Sequence, residues 1–219
     1  MAKFRNREQA GQQLAAQLAK YASESPVLMG IPNGGVPVGM AVAQSSSSAL
    51  TVVPIRSLHI PWAEATIFGY VTNMGELHLN QPLIGQTRLS RQEIHQIARK
   101  RRLALQADLE SWGIDVPHSL ENRLVVIIDD GMHSGWTMFS AIQTVKQLAA
   151  RTVVAAVPVT HFRARRFVAR HCDAVVSLLT DGIALYQIDN YYEEFPEISN
   201  DLVGSILNCP PNSPRQSAA

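Results

Sequence analysis

The chain has 219 residues, enough for one sizeable domain that buries roughly 70 per cent of its unfolded surface and needs no metal or disulfide staple. Nineteen Lys and Arg stand against eighteen Asp and Glu, and 46% of residues are hydrophobic. That balance excludes a wholly disordered chain and disfavours nucleic acid as a partner.

Asn6 is predicted to cap a first helix, with Gln9 placed to reach back and Ala10, Leu14, Leu18 and Tyr21 recurring on one side. Residues 26–32 read as a short buried strand, and the Asn33-Gly34-Gly35 turn feeds a helix over 36–44 that four serines, 45–48, bring to an end. A second strand is expected over 51–55. Residues from 57 to about 80 keep no sustained period and read as a long flexible loop or an irregular hairpin. A long helix starts at Ser90, which forms a capping-box pattern with Glu93, and Ile94, Ile97, Ala98, Leu105, Leu109 and Trp112 supply its apolar face. Its basic run, Arg99-Lys100-Arg101-Arg102, reads as a solvated face balanced by Asp108 and Glu110.

Leu124 to Ile128 is a continuous run rich in β-branched residues, followed by a glycine-containing loop and a helix carrying Met138, Ala141, Ile142, Val145 and Leu148. Strands over 152–159 and 174–179 flank a short helix over 161–170. Strands buried on both faces and alternating with helices imply an α/β fold with a mainly parallel sheet, whose ligands sit beyond the carboxyl ends of the strands. One domain over 1–207 is expected, with 208–219 as a disordered tail. The two cysteines, Cys172 and Cys209, lie far apart without metal-ligand spacing, and no stretch of eighteen apolar residues occurs. A cytoplasmic protein without a membrane partner is therefore expected.

The segment Asp129-Asp130-Gly131-Met132-His133-Ser134-Gly135-Trp136-Thr137 joins strand to helix and offers two unlike binding surfaces. Adjacent carboxylates accept hydrogen bonds from vicinal hydroxyls; backbone amides, two hydroxyl side chains and a helix N-terminus suit a phosphate. A sugar phosphate satisfies both. The same residues also suit an ordinary loop in which Asp129 or Asp130 caps the helix. The lysine of a triphosphate-binding P-loop is absent, as is the GxGxxG dinucleotide pattern.

This segment resembles the phosphoribosyl-pyrophosphate signature of the type I phosphoribosyltransferases. The turn Ile31-Pro32-Asn33-Gly34-Gly35-Val36-Pro37-Val38 resembles the Pro-Arg-Gly-Gly-Val-Pro-Val segment of a bacterial phosphoribosyltransferase-like family, and the likeness extends through Phe4-Arg5-Asn6-Arg7 and Tyr191-Tyr192-Glu193-Glu194-Phe195. The resemblance implies a type I phosphoribosyltransferase-like fold with a small C-terminal hood at about 181–207 and a flexible cover at about 57–80. It implies that Asp129 and Asp130 hold the ribose hydroxyls, that His133 to Thr137 cradle the 5'-phosphate with Gly131 and Met132 in the same binding loop, and that Asn33, Gly34, Gly35 and Arg56 serve the pyrophosphate. Mg²⁺ would be bound mainly through phosphoribosyl pyrophosphate, without a dedicated protein metal site, and a nitrogenous base would be the acceptor. A homodimer is expected on the same ground.

Two departures bear on chemistry. Asn33 stands where that family commonly has arginine, and Ser57 where it commonly has lysine, so positive charge is lost near the expected leaving group. His133 suits proton exchange with an acceptor base, or simply faces solvent. The alternative to a transferase is a catalytically weak or inactive regulator that binds phosphoribosyl pyrophosphate or a nucleotide.

Overall fold

In the computed structural model, residues 3–183 and 186–208 are described; Cys209 and the rest of the expected tail beyond it lie outside the described residues. Five parallel strands form the central sheet in the order β2-β1-β6-β7-β8: β1 (Val27–Gly30), β2 (Leu50–Val52), β6 (Leu124–Ile128), β7 (Thr152–His161) and β8 (Ala174–Asp181). All five residues of β6 are buried, as expected for a strand covered on both faces. Alternate residues divide between two apolar layers. Met29, Val125 and Ile127 pack with Met138, Ala141, Ile142 and Val145 of α5 (Trp136–Gln147) and with Ala164 and Val168 of α6 (Phe162–Val168). Leu28, Val126 and Ile128 face Leu14 and Leu18 of α1 (Arg7–Leu18) and Val38 and Val42 of α2 (Gly35–Ser46).

Local signals explain most element ends. Asn6 Oδ1 accepts from the Gln9 amide at 3.0 Å, while Gln9 Oε1 accepts from the Arg5 amide and not from that of Asn6. Ser90 and Glu93 make the reciprocal capping box at the start of α4 (Arg91–Ser111). The expected strand over 51–55 is split: β2 ends at Val52, and Ile55 opens β3 (Ile55–Ile60) after Pro54, which has no amide to continue a ladder.

The segment expected as a long loop or irregular hairpin is an antiparallel sheet, so the loop alternative is corrected. Strand β3 pairs with β4 (Ala63–Thr72), and β4 with β5 (Leu77–Leu79). Leu58, Ile60, Phe68 and Val71 form a separate apolar cluster with Ile94 and Ala98 of α4, which anchors this sheet. A four-residue helix, α3 (Gln81–Ile84), follows it. Near the C-terminus, Tyr186, Tyr191 and Tyr192 pack with Phe4, Ala10 and Val159, and α7 (Asn200–Leu207) packs Val203 and Ile206 against Trp112 and Met40.

Candidate active site

The sheet order reverses between β1 and β6, whose last residues, Gly30 and Ile128, are register partners. Crevices at such reversals lie beyond the strand carboxyl ends, where Asp129 and Asp130 follow β6 and the Asn33 turn follows β1. Both aspartates are only 9% exposed. Asp129 Oδ1 accepts from the Asp130 amide at 2.9 Å. Asp130 Oδ2 accepts from Arg7 Nε at 2.8 Å, and Arg7 Nη1 donates to the Pro196 carbonyl at 2.7 Å. The Arg7 guanidinium also lies 3.6 Å above the Phe195 ring, and the Tyr192 hydroxyl donates to the Asp130 carbonyl at 2.7 Å. Burial pushes both carboxyls up. At Asp129 the neighbouring Asp130 charge adds to the effect, whereas Arg7 opposes it at Asp130.

The loop after the acids is pinned at one point. The Met132 amide donates to the Val159 carbonyl at 3.0 Å, the His161 amide donates to the Met132 carbonyl at 2.9 Å, and the Met132 side chain joins the core. Beyond it, Gly135 takes φ 83° as it enters α5, a conformation that suits glycine. The amides of His133, Ser134, Gly135 and Thr137 find no acceptor among the described residues. Such a row of unsatisfied donors at a helix entrance attracts an anion. The Thr137 hydroxyl lies 2.6 Å from that of Tyr70, whose phenol is pushed up to about 12 by burial despite the Thr137 hydrogen bond. His133 and Ser134 are exposed, and the His133 ring lies 5.9 Å from that of Tyr186 at 30°. Trp136 packs on Phe139 and Phe167 beside the loop.

A cavity of about 560 Å³ opens over this constellation, lined by residues 129–137, by Ile67, Gly69 and Tyr70 of β4, and by Ile188. A second cavity of about 220 Å³ shares the wall formed by Ile67, Tyr70 and Thr137 and extends to Asn33, Arg56 and Arg101. Gly34 and Gly35 pack the turn against the acidic strand: a Cβ on Gly34 would overlap the Asp130 carboxylate, and one on Gly35 the Ile128 carbonyl. Asp129 to Thr137 thus line one chamber and Asn33 and Arg56 the adjoining one, while Gly34 and Gly35 line neither and pack against the acidic strand. A larger cavity, about 660 Å³, lies at the amino ends of β1 and β2, where Arg123 is the one ionisable side chain among its lining residues. It holds no acid pair or amide row, so volume is a poor guide to chemistry here.

Two predicted side chains are already engaged. Asn33 donates to the Ile198 carbonyl at 2.6 Å and to Asn200 Oδ1 at 3.1 Å, tying the turn to the C-terminal segment. Arg56 Nη1 pairs with Asp108 Oδ2, and Asp108 Oδ1 accepts from Asn200. The solvated-face reading of the basic run also needs correction. Arg99 and Lys100 are exposed, whereas Arg101 Nε donates to the Ser57 carbonyl at 2.9 Å and Arg102 Nε to that of Asn73 at 2.9 Å. The sequence reading missed Arg7 and Arg101 as site residues. The Phe4–Arg7 likeness was a signal for the first; nothing in helical spacing marks the second.

Among the described residues no cluster of three or more His, Cys, Asp and Glu is placed to cage a metal, and no helix is long and apolar enough to cross a membrane.

Residues 2–185 match the family described as Phosphoribosyl transferase domain. Two relatives from Mycobacterium tuberculosis, strains H37Rv and CDC 1551, each named "Putative phosphoribosyl transferase", are 33% identical over 208 residues. The match covers 94% of this chain but 46% of each relative, so the chain spans about half their length. The crystal structure of TT1426 from Thermus thermophilus superposes with a TM-score of 0.76 at 31% identity, covering 94% of this chain and 97% of that one.

Proposed function

Since this chain belongs to the phosphoribosyl transferase family, we propose that it moves a 5-phosphoribosyl group from phosphoribosyl pyrophosphate to a nitrogenous base. The observation that carries the reading is the meeting, in one cavity, of two buried carboxylates with a row of unsatisfied amides at the entrance to α5. In this reading Asp129 and Asp130 accept hydrogen bonds from the ribose hydroxyls, and the amides of residues 133–135 and 137, with the Ser134 and Thr137 hydroxyls, hold the 5'-phosphate. The diphosphate then points toward the Asn33 turn and Arg56.

The acceptor nitrogen forms its bond to the anomeric carbon as the bond from that carbon to the diphosphate oxygen breaks, and the electron pair leaves with pyrophosphate. The fixed carboxylates favour the positive charge that develops on the ribosyl centre, and cations near the turn favour the departing negative charge. The acceptor's proton passes to His133 or to water. Magnesium, brought in mainly by phosphoribosyl pyrophosphate, would supply charge neutralisation beside the fixed carboxylates of Asp129 and Asp130.

A second reading, a regulator that binds the sugar phosphate without turnover, draws support from the engagement of Arg56 by Asp108 and of Asn33 by the C-terminal segment. Calorimetry with phosphoribosyl pyrophosphate and Mg²⁺, followed by a panel of purine, pyrimidine and other nitrogen bases monitored for pyrophosphate, separates the two. Binding with base-dependent pyrophosphate release supports the transferase, and binding without release across the panel supports the regulator. Absence of binding by folded protein rejects both.

A further inference from the structure

We infer that Arg101, on α4, supplies the second positive charge of the 220 Å³ chamber and contacts the leaving diphosphate; this rests on the phosphoribosyl reading of the adjoining cavity. The chamber brings together Arg56, Arg101 and Asp108, two cations and one anion. Asp108 is committed to Arg56 and to Asn200, and no carboxylate pairs with Arg101 among the described residues. Arg101 meets instead the Ser57 carbonyl through Nε, with Nη2 3.5 Å from the Ser57 hydroxyl. Those contacts orient the guanidinium without neutralising it, and Nη1 makes no hydrogen bond among the described residues.

Burial lowers the proton affinity of both guanidinium groups, and repulsion from Arg101 adds to the effect at Arg56. Arg56 Nε is buried without a hydrogen-bond partner as well. A half-buried pair of cations in which only Arg56 has a carboxylate partner among the described residues is an electrostatic deficit that an anion repairs. The chamber is smaller than the roughly 300 Å³ floor of drug-sized sites, so it suits a compact anion and not a nucleoside. Through Thr137 and Tyr70 it abuts the phosphate loop, which places that anion on the same ligand. Position 57 lacks a cation in this sequence, and Arg101 reaches the same spot from a helix 44 residues away along the chain.

The test titrates inorganic pyrophosphate, with Mg²⁺ present, and ribose 5-phosphate separately into wild type, Arg101→Met, Arg101→Lys and the double variant Arg101→Met with Ser57→Lys. Loss of one charge-assisted contact is expected to weaken pyrophosphate about 10- to 100-fold in Arg101→Met and leave ribose 5-phosphate within about twofold. Arg101→Lys should recover part of the affinity. Ser57→Lys, by restoring an ammonium beside the same wall, should do likewise in the double variant, which a merely structural arginine would not allow. Pyrophosphate affinity unchanged in Arg101→Met, absent from the wild type, or lost without recovery in both lysine variants overturns the assignment. Ribose 5-phosphate that fails to bind the wild type instead overturns the phosphoribosyl reading on which it rests.

Discussion

Replacing Arg7 by Met removes the one cation that, among the described residues, pairs with the two acids, and leaves Asp130 buried beside Asp129 without that counter-charge. The loss includes the 2.8 Å ion pair, the 2.7 Å bond to the Pro196 carbonyl and the stacking on Phe195. Both partners of the ion pair are nearly inaccessible, with side chains 9% and 12% exposed, so solvent screens little of the effect. Breaking a buried pair from one side costs about 3–5 kcal/mol, a large part of a total stability of about 5–15 kcal/mol. For a chain of this length that corresponds to a fall of about 6–20 °C in Tm. Without Arg7 the Asp130 carboxyl rises further, so the deficit is full above that raised pKa and shrinks as pH falls through it and the acid takes up a proton. Urea unfolding at pH 7 and pH 5, with Asp130→Asn and the double variant completing a cycle, reads the coupling directly. A deficit below about 1 kcal/mol, or one independent of pH, would refute the reasoning.

Gly135→Ala forces a side chain into a positive φ and against Phe167 and Val168; it should cost about 1–2 kcal/mol by urea unfolding and weaken orthophosphate binding, and a neutral result would mean the loop's path is not fixed by this residue. Asp129 is raised by burial and by Asp130, so wild-type stability should fall as pH rises through its folded pKa. Asp129→Asn should flatten that part of the profile and stabilise the ligand-free protein while weakening ribose 5-phosphate, and an unchanged profile would show that Asp129 is not the titrating group. His133→Ala should depress transfer to a base far more than sugar-phosphate affinity, since His133 stands exposed at the cavity's edge; equal turnover removes it from proton transfer.

The parallel sheet was legible because β6 is buried on both faces and therefore reads as an unbroken apolar run, with its acids at the end. The 129–137 segment could be read as one unit for a related reason: strand, turn and helix are consecutive, so local chemistry fixes their relation. The β3–β4 sheet was obscured by two register shifts, at Leu58/His59 and His59/Ile60, which break the alternation that marks a strand. Strand β4 also changes from a mostly exposed first half to a buried second half. Arg7 meets Asp130 across 123 residues and Arg101 meets Ser57 across 44, and no spacing rule reports contacts made only by tertiary packing. Asn33 and Ser57 are legible in the sequence as uncharged positions, but their partners Asn200 on α7 and Arg101 on α4 are identified only once the fold brings them together.

One grip is central to the proposed function: hydroxyls on the acids and phosphate on the amides of the same turn. Calorimetry of the wild type with ribose 5-phosphate and with 2-deoxyribose 5-phosphate, under identical buffer and salt, measures both halves at once. The expected result is binding of both, with the ribose form tighter by about tenfold for a hydrogen bond to a charged acceptor. Equal affinities would contradict the role of Asp129 and Asp130, and failure of either sugar phosphate to bind folded protein would contradict the site itself.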